Sequence, residues 1–333
     1  MIETPAAPLV DIDDLVIAYD TPTGAIRGLD GARLTIEPGE TLAIVGESGS
    51  GKTTLGMAAG RLLPPEARAA SGRIVVDGVS VADADDETLR TLRRERLGFV
   101  FQNPMAALDP TMRIRRQLAR AMGGRPTTED MAALLRRAEL DDPDRVLRAF
   151  PHELSGGMAQ RVVIATAIAR SPKLIIADEP TASLDASIRE RVMSTLGRLR
   201  GETGASLVIL SHDLHLVGRH ADRVAVMYGG RVVEIGDSAI VLKTPAHPYT
   251  RALIAAAAGN ETPGQRLEPI LGTPPVLRER CGHCAYEPRC RFAESRCATE
   301  RPEERAVSGR TVVCHRAETV VSMTEDHREA QAR

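Results

Sequence analysis

Eight consecutive residues, Gly46-Glu47-Ser48-Gly49-Ser50-Gly51-Lys52-Thr53, constrain this chain more than any other stretch. Their spacing is G-x-x-x-x-G-K-[ST]. Leu42-Ala43-Ile44-Val45 just before them is a brief apolar run, as a buried parallel strand requires, and the residues from Lys52 onward suit a helix. Strand, glycine-rich loop and helix in that order turn several backbone N–H groups toward one point. The helix N-terminus adds its partial positive charge there. Such a cradle suits a polyphosphate held by Gly46 and by Ser48 through Thr54. Lys52 would reach the β- and γ-phosphates, and the Thr53 hydroxyl would ligate Mg²⁺. A glycine turn that binds nothing is the plainer alternative. The loop alone does not separate ATPases, GTPases and small-molecule kinases.

A second signal is Leu174-Ile175-Ile176-Ala177-Asp178-Glu179, four apolar residues ending in two acids. At the tip of a strand Asp178 can hold Mg²⁺, and Glu179 can polarise an attacking water as general base. Read alone, both could be solvated turn residues before Pro180. Leu154-Ser155-Gly156-Gly157-Met158-Ala159-Gln160 opens a helical stretch upstream, giving a second helix terminus suited to phosphate. Ser183-Leu184-Asp185 follows the acids, and Ser211-His212-Asp213 follows the apolar run 206–210. Gln102 stands in Phe99-Val100-Phe101-Gln102-Asn103-Pro104, where a helical insert begins.

In this order, the glycine loop, Gln102, Leu154–Gly157, Asp178-Glu179, Ser183–Asp185 and His212 resemble the ABC ATPase family over about residues 10–235. The resemblance implies an α/β P-loop NTPase: a RecA-like core with an antiparallel β subdomain and a helical insert. It implies ATP and Mg²⁺ as ligands and assigns roles. Tyr19 stacks on adenine, unless it is an ordinary strand residue. Thr53, Gln102 and Asp178 surround Mg²⁺, and Gln102 senses the γ-phosphate. Glu179 and His212 serve hydrolysis. Ser155, Gly156, Gly157, Gln160 and Asp185 act across a dimer interface. The implied partners are a second ABC ATPase subunit, identical or related, two transmembrane permease subunits and, indirectly, an extracytoplasmic solute-binding protein.

Thr244-Pro245-Ala246-His247-Pro248-Tyr249-Thr250-Arg251-Ala252-Leu253 and Gln102–Met112 are similar to the oligopeptide/dipeptide importer branch of that family, some members of which serve nickel or other small solutes. Read from its residues alone, His247-Pro248-Tyr249 is an extended, proline-stiffened link. All five cysteines fall between Cys281 and Cys314, and a clustered odd set of this kind suggests a metal site rather than a disulfide framework. Cys284, Cys290, Cys297 and Cys314 resemble the cysteine motif of the same branch, in which some members hold a [4Fe–4S] cluster. Four thiolates suit such a cluster and would also suit a structural zinc; metal-free thiols or a disulfide are the remaining state. Cys281 is extra and forms a zinc-like Cys281-x2-Cys284 pair. His283 and Tyr286 stand where the branch usually has glycine and phenylalanine.

Composition narrows the field further. With 43% apolar and 26% charged residues among 333, the chain has material for a large core. A net charge of -2 and the lack of tryptophan give no reason to expect nucleic-acid binding. No stretch approaches the ~20 apolar residues of a membrane span. The expected place is therefore the cytoplasmic face of the membrane, peripherally, through partners. The expected organisation is an ATPase domain over 1–235, with a helical subdomain at about 100–170, a cysteine-bearing extension over 236–316 and a disordered polar tail over 317–333. A soluble ABC ATPase of DNA repair or translation is the second reading, disfavoured by the single cassette and the lack of heptads.

Overall fold

A computed structural model describes residues 7–257 and 269–331, with the exception of Ser183. The chain forms two compact units. One comprises Met1–Leu9, Ile36–Thr41 and Asp83–Leu210; the other comprises Val10–Thr35, Leu42–Ala82 and Ser211–Arg333.

In the first unit the strands Leu97–Val100, Leu174–Asp178 and Ser206–Ser211 run parallel, with Leu174 opposite both Leu97 and Ser206. Every residue of the latter two strands is buried, as in a sheet covered on both faces. Local chemistry sets the helix starts around them. Thr127 and Asp130 form a reciprocal capping box for Thr128–Arg137, and Asp142 with Pro143 opens Pro143–Arg148. These helices pack with Ile114–Met122 and Gly156–Ile168. The last is apolar on nearly every side and buries Val162, Val163, Ile164, Ala165 and Ile168. The long helix Ala186–Thr203 ends on Gly204, whose φ of 68° is the left-handed stop that glycine provides.

The second unit contains an antiparallel sheet in which Val10–Tyr19 lies beside both Ile26–Ile36 and Ala67–Val76. Its other sheet begins with Thr41–Val45 parallel to Arg223–Tyr228, which turns into Arg231–Asp237. Gly229 and Gly230 both take positive φ, 54° and 75°, as a two-residue hairpin between hydrophobic runs requires.

The C-terminal stretch continues this sheet. Arg310–Val313 pairs with Arg231–Asp237, placing Val312 opposite Glu234, and Glu304–Val307 adds the edge. Glu234, fully buried, accepts the backbone N–H groups of Ala246 and His247 at 2.8 and 2.9 Å and lies 3.6 Å from Arg310. His247-Pro248-Tyr249 is therefore not an extended link. Pro248 is the first residue of the helix Pro248–Ala257, and His247 and Tyr249 are buried. Proline at a first helical position gives up an N–H that the helix would leave unpaired anyway. The tail expected to be disordered forms a helix over Ala317–Gln331; Ala317, Val320 and Val321 are buried and anchor its start. Pro263, part of the proline-rich stretch, lies outside the described residues.

Candidate functional site

The glycine loop belongs to the second unit and follows the fully buried strand Thr41–Val45. Its backbone needs glycine at two points. A Cβ on Gly46 would meet the Met227 carbonyl oxygen at 2.3 Å, and one on Gly51 would meet the Gly28 carbonyl oxygen at 2.5 Å. Gly51, with φ of 104°, begins the helix Lys52–Ala58, and no side chain caps it. The orphan N–H groups of a first turn are then offered along the axis rather than to a capping oxygen. Lys52 is buried and its Nζ donates to the carbonyl oxygens of Gly46 and Glu47, at 2.7 and 3.0 Å. The Ser50 hydroxyl is buried with no partner among the described residues. Ser48, Gly49 and Thr53 are exposed at the rim. The loop thus has a positive centre and an unsatisfied donor inside, with backbone N–H groups around them, as the chemistry of a phosphate demands.

Tyr19 ends its strand with its hydroxyl 2.9 Å from that of Thr54, just inside the helix. In the same unit His212 is exposed, next to buried Ser211. The Ser211 hydroxyl accepts the N–H of Asp213, and Asp213 caps the short helix that follows.

The first unit carries the remaining candidates. Asp178 is buried at the end of its strand. Glu179 follows with φ of 45°, in the left-handed region, its N–H donated to the Leu210 carbonyl. That conformation is costly for a residue with a Cβ, and such residues concentrate at functional sites. Gln102 is exposed beyond the strand Leu97–Val100, next to Asn103, which caps Pro104–Ala107. Ser155 caps Gly156–Ile168 by accepting from Met158 N–H. Ser155 and Gly156 are exposed, and a side chain on Gly156 would meet nothing. Gln160, one turn on, is instead buried at 2% exposure, and its Nε2 has no partner among the described residues. Asp185 caps Ala186–Thr203, and the Ile188 N–H and then the Ser187 hydroxyl hold its carboxyl below the usual range. Ser183 of the same motif lies outside the described residues.

The cysteines divide four to one. Cys284, Cys290, Cys297 and Cys314 line one small cavity together with His247 and Tyr286. Cys281 does not line it. Its N–H donates to the buried carboxylate of Asp30, which Arg231 also grips at 2.8 Å. Cys281 therefore stands apart from the cavity lining, although its thiol is near enough to that of Cys284 to help raise it. All five thiols are free, and burial raises Cys284 and Cys290 to about 11 and Cys314 to about 12. Among the described residues no three of His, Cys, Asp or Glu are grouped as ligands of one metal ion.

Two features here were not anticipated from the sequence. Arg289 extends a two-pronged guanidinium to the Glu47 carboxylate, at 2.8 and 3.0 Å. Tyr228, Tyr249 and Tyr286, three of the four tyrosines in the chain, pack with ring centroids 4.6 to 5.4 Å apart. The only hint in the sequence is where these few aromatic residues stand, beside the hairpin, in the His-Pro-Tyr stretch and within the cysteine segment.

Comparison with known proteins agrees with this geometry. Residues 29–182 match the family model described as ABC transporter, and residues 233–297 match the one described as oligopeptide/dipeptide transporter, C-terminal region. The oligopeptide transport ATP-binding protein OppD of Salmonella typhimurium is 35% identical over 316 residues, covering 93% of this chain and 94% of its own. A putative peptide import ATP-binding protein of Brucella abortus is 36% identical over 319 residues, 94% of this chain and 96% of its own. Among solved structures, the dimeric ATP-binding cassette MJ0796 in a post-hydrolysis state with ADP and phosphate aligns with a TM-score of 0.62 and 31% identity. It covers 69% of this chain and 98% of that one.

Proposed function

The chain belongs to the ABC transporter family as one of its ATP-binding, ATP-hydrolysing subunits, and from that premise we propose that it powers the import of peptides or related small solutes. The observation that carries the ATP site is the glycine-capped start of Lys52–Ala58, with Lys52 held over two loop carbonyls. On binding, the Lys52 ammonium exchanges those carbonyls for phosphate oxygens, and the first-turn N–H groups close around the same anion. Thr53, Asp178 and Gln102 are the residues that would hold Mg²⁺, which would neutralise phosphate charge. Glu179 orients and deprotonates the water, and His212 steadies the γ-phosphate. Tyr19 takes the adenine once its hydroxyl leaves Thr54. Support for this assignment comes from the matching residue types, the exposure of Thr53, Gln102 and His212, and the left-handed backbone at Glu179.

The Ser155–Gly156 helix tip supplies the other half of the site, to a nucleotide on a second ATPase subunit, identical or related. The bare surface at Gly156 supports this, because nothing within the chain requires glycine there. Gln160 is better suited to bracing that helix from inside than to touching ATP. No helix among the described residues is long and apolar enough to cross a membrane. By its family, the chain would pass motion to separate permease subunits at the membrane's cytoplasmic face. An extracytoplasmic binding protein delivers the solute. The match to a peptide-transporter C-terminal region weighs against the alternative of a DNA-repair or translation ATPase.

For the four-cysteine cavity we infer a thiolate-bound [4Fe–4S] cluster, because these four cysteines line it together and four thiolates are the ligand set of such a cluster. Cys284, Cys290, Cys297 and Cys314 would hold it, losing their protons on binding. When bound, the group supplies a rigid cross-link among four segments of chain.

The test is co-expression with candidate permease subunits. ATP-dependent uptake of labelled oligopeptide into vesicles, lost with Lys52→Ala, is the expected result. A complex that hydrolyses ATP yet moves no peptide under any condition overturns the solute class. A purified chain that neither binds nor hydrolyses ATP overturns the whole reading.

A further inference from the structure

The cysteine segment is wired to the phosphate loop. Arg289 sits in the single 3-10 turn Glu287–Arg289, which Cys284 and Cys290 bracket through backbone hydrogen bonds. Its side chain is 4% exposed and makes five bonds: two reach the loop at the Glu47 carboxylate, one goes to the Tyr228 hydroxyl and two go to the carbonyls of Ile270 and Leu271. Glu47 is the second residue of the loop. Its N–H is held by Tyr249, its carboxylate by Arg289 and its carbonyl by Lys52. It is pinned at three points, two of them from the C-terminal stretch.

Glu47 puts a negative charge on the loop, and a carboxylate near a bound triphosphate would repel it. Arg289 cancels that charge where water screens it poorly and fixes the loop before ligand arrives, which lowers the ordering cost of binding. We propose that Arg289 is a positioning residue for nucleotide binding: by neutralising and pinning Glu47, it lets the cysteine segment set the affinity of the phosphate loop for ATP. This rests on the nucleotide reading of the loop given above. It also gives the cysteine cavity a purpose, because whatever stiffens Cys284 and Cys290 stiffens the turn that presents Arg289.

The experiment is fluorescence titration of the full chain with a methylanthraniloyl ATP and Mg²⁺. Arg289→Ala is expected to raise Kd about tenfold, and KM with it, while kcat at saturating ATP holds. Adding Glu47→Gln to Arg289→Ala removes the stranded carboxylate and is expected to bring Kd within about threefold of the wild type. A purely structural role predicts no such recovery. Arg289→Lys, which keeps the charge without the fork, is expected to lose less than Arg289→Ala. It decides the matter if the alanine variant does not fold: a loss of about tenfold or more in the lysine variant overturns the proposal. So does unchanged affinity in folded Arg289→Ala, or a defect that Glu47→Gln leaves in place. Lys52→Ala in the same titration reports on the loop itself. If that variant binds normally, the nucleotide reading fails, whatever Arg289 does.

Discussion

The phenolic oxygen of Tyr249 accepts the backbone N–H of Glu47 at 2.8 Å, joining residues 202 positions apart. Tyr249 is fully buried and touches both other tyrosines of its cluster. A residue outside the nucleotide loop therefore fixes the loop's second peptide. Tyr249→Phe keeps the ring and strands that N–H. A loss of about 1–2 kcal/mol in urea unfolding is expected, with a weaker affinity for ATP. Unfolding curves and nucleotide titrations that match the wild type in both respects would show the bond to be idle.

Glu179 is assigned the base of hydrolysis. Glu179→Gln keeps the shape and the acceptor oxygen but cannot take a proton. ATPase rate should fall by at least about 10²-fold while ATP still binds. Gel filtration with Mg-ATP should then show a long-lived dimer. Turnover near the wild-type rate would assign the base elsewhere.

Gly156 is open to space within its own chain, so Gly156→Arg should leave thermal unfolding of the isolated subunit unchanged or slightly raised. Hydrolysis should be lost, because the side chain would occupy the place of a nucleotide on the partner. An active variant would mean that this helix tip meets no ligand.

His247 offers a pH test. Desolvation pushes it from 6.5 to about 3, so it is neutral when folded, and its Nδ1 accepts the N–H of Tyr249 at 3.0 Å. The unfolded chain takes up a proton below pH 6.5 and the folded one does not. The stability from this residue is therefore complete above 6.5 and is lost as pH falls from there toward about 3. The slope from this one group is at most about 1.4 kcal/mol per pH unit. His247→Asn, which can still accept the Tyr249 N–H, should be less stable at neutral pH but lose less on acidification. Urea midpoints between pH 4 and 7, a range of about three units, would show it. An equally steep acid limb in the variant would put the titration elsewhere.

Cys290→Ser should abolish iron and sulfide in anaerobically purified protein and bleach its brown colour, whereas Cys281→Ser should not, because Cys281 stands outside the cavity. A colourless wild type holding zinc at one ion per chain would replace the cluster with a different centre.

The local devices were legible in the sequence because each is a short-range steric or hydrogen-bonding rule. The glycines at 46 and 51 had to be glycine for a backbone that no Cβ could enter. The Gly229-Gly230 hairpin, the buried strand ending at Asp178 and the caps at Ser155 and Asp185 follow from neighbours within a few residues. What the sequence misjudged was decided at long range. His-Pro-Tyr looked like a link because nothing nearby in the chain announces that Glu234 will accept the N–H groups of Ala246 and His247. That Cys281 lies outside the cavity of the other four follows no local rule, and its N–H goes to Asp30, 251 residues away. The identity of the motif residues, and through them the chemistry, was written in the chain. Burial decided which charges and thiols face one another. The Arg289–Glu47 pair, 242 positions apart, exists only once distant segments have excluded water together, and one-dimensional spacing carries no record of that.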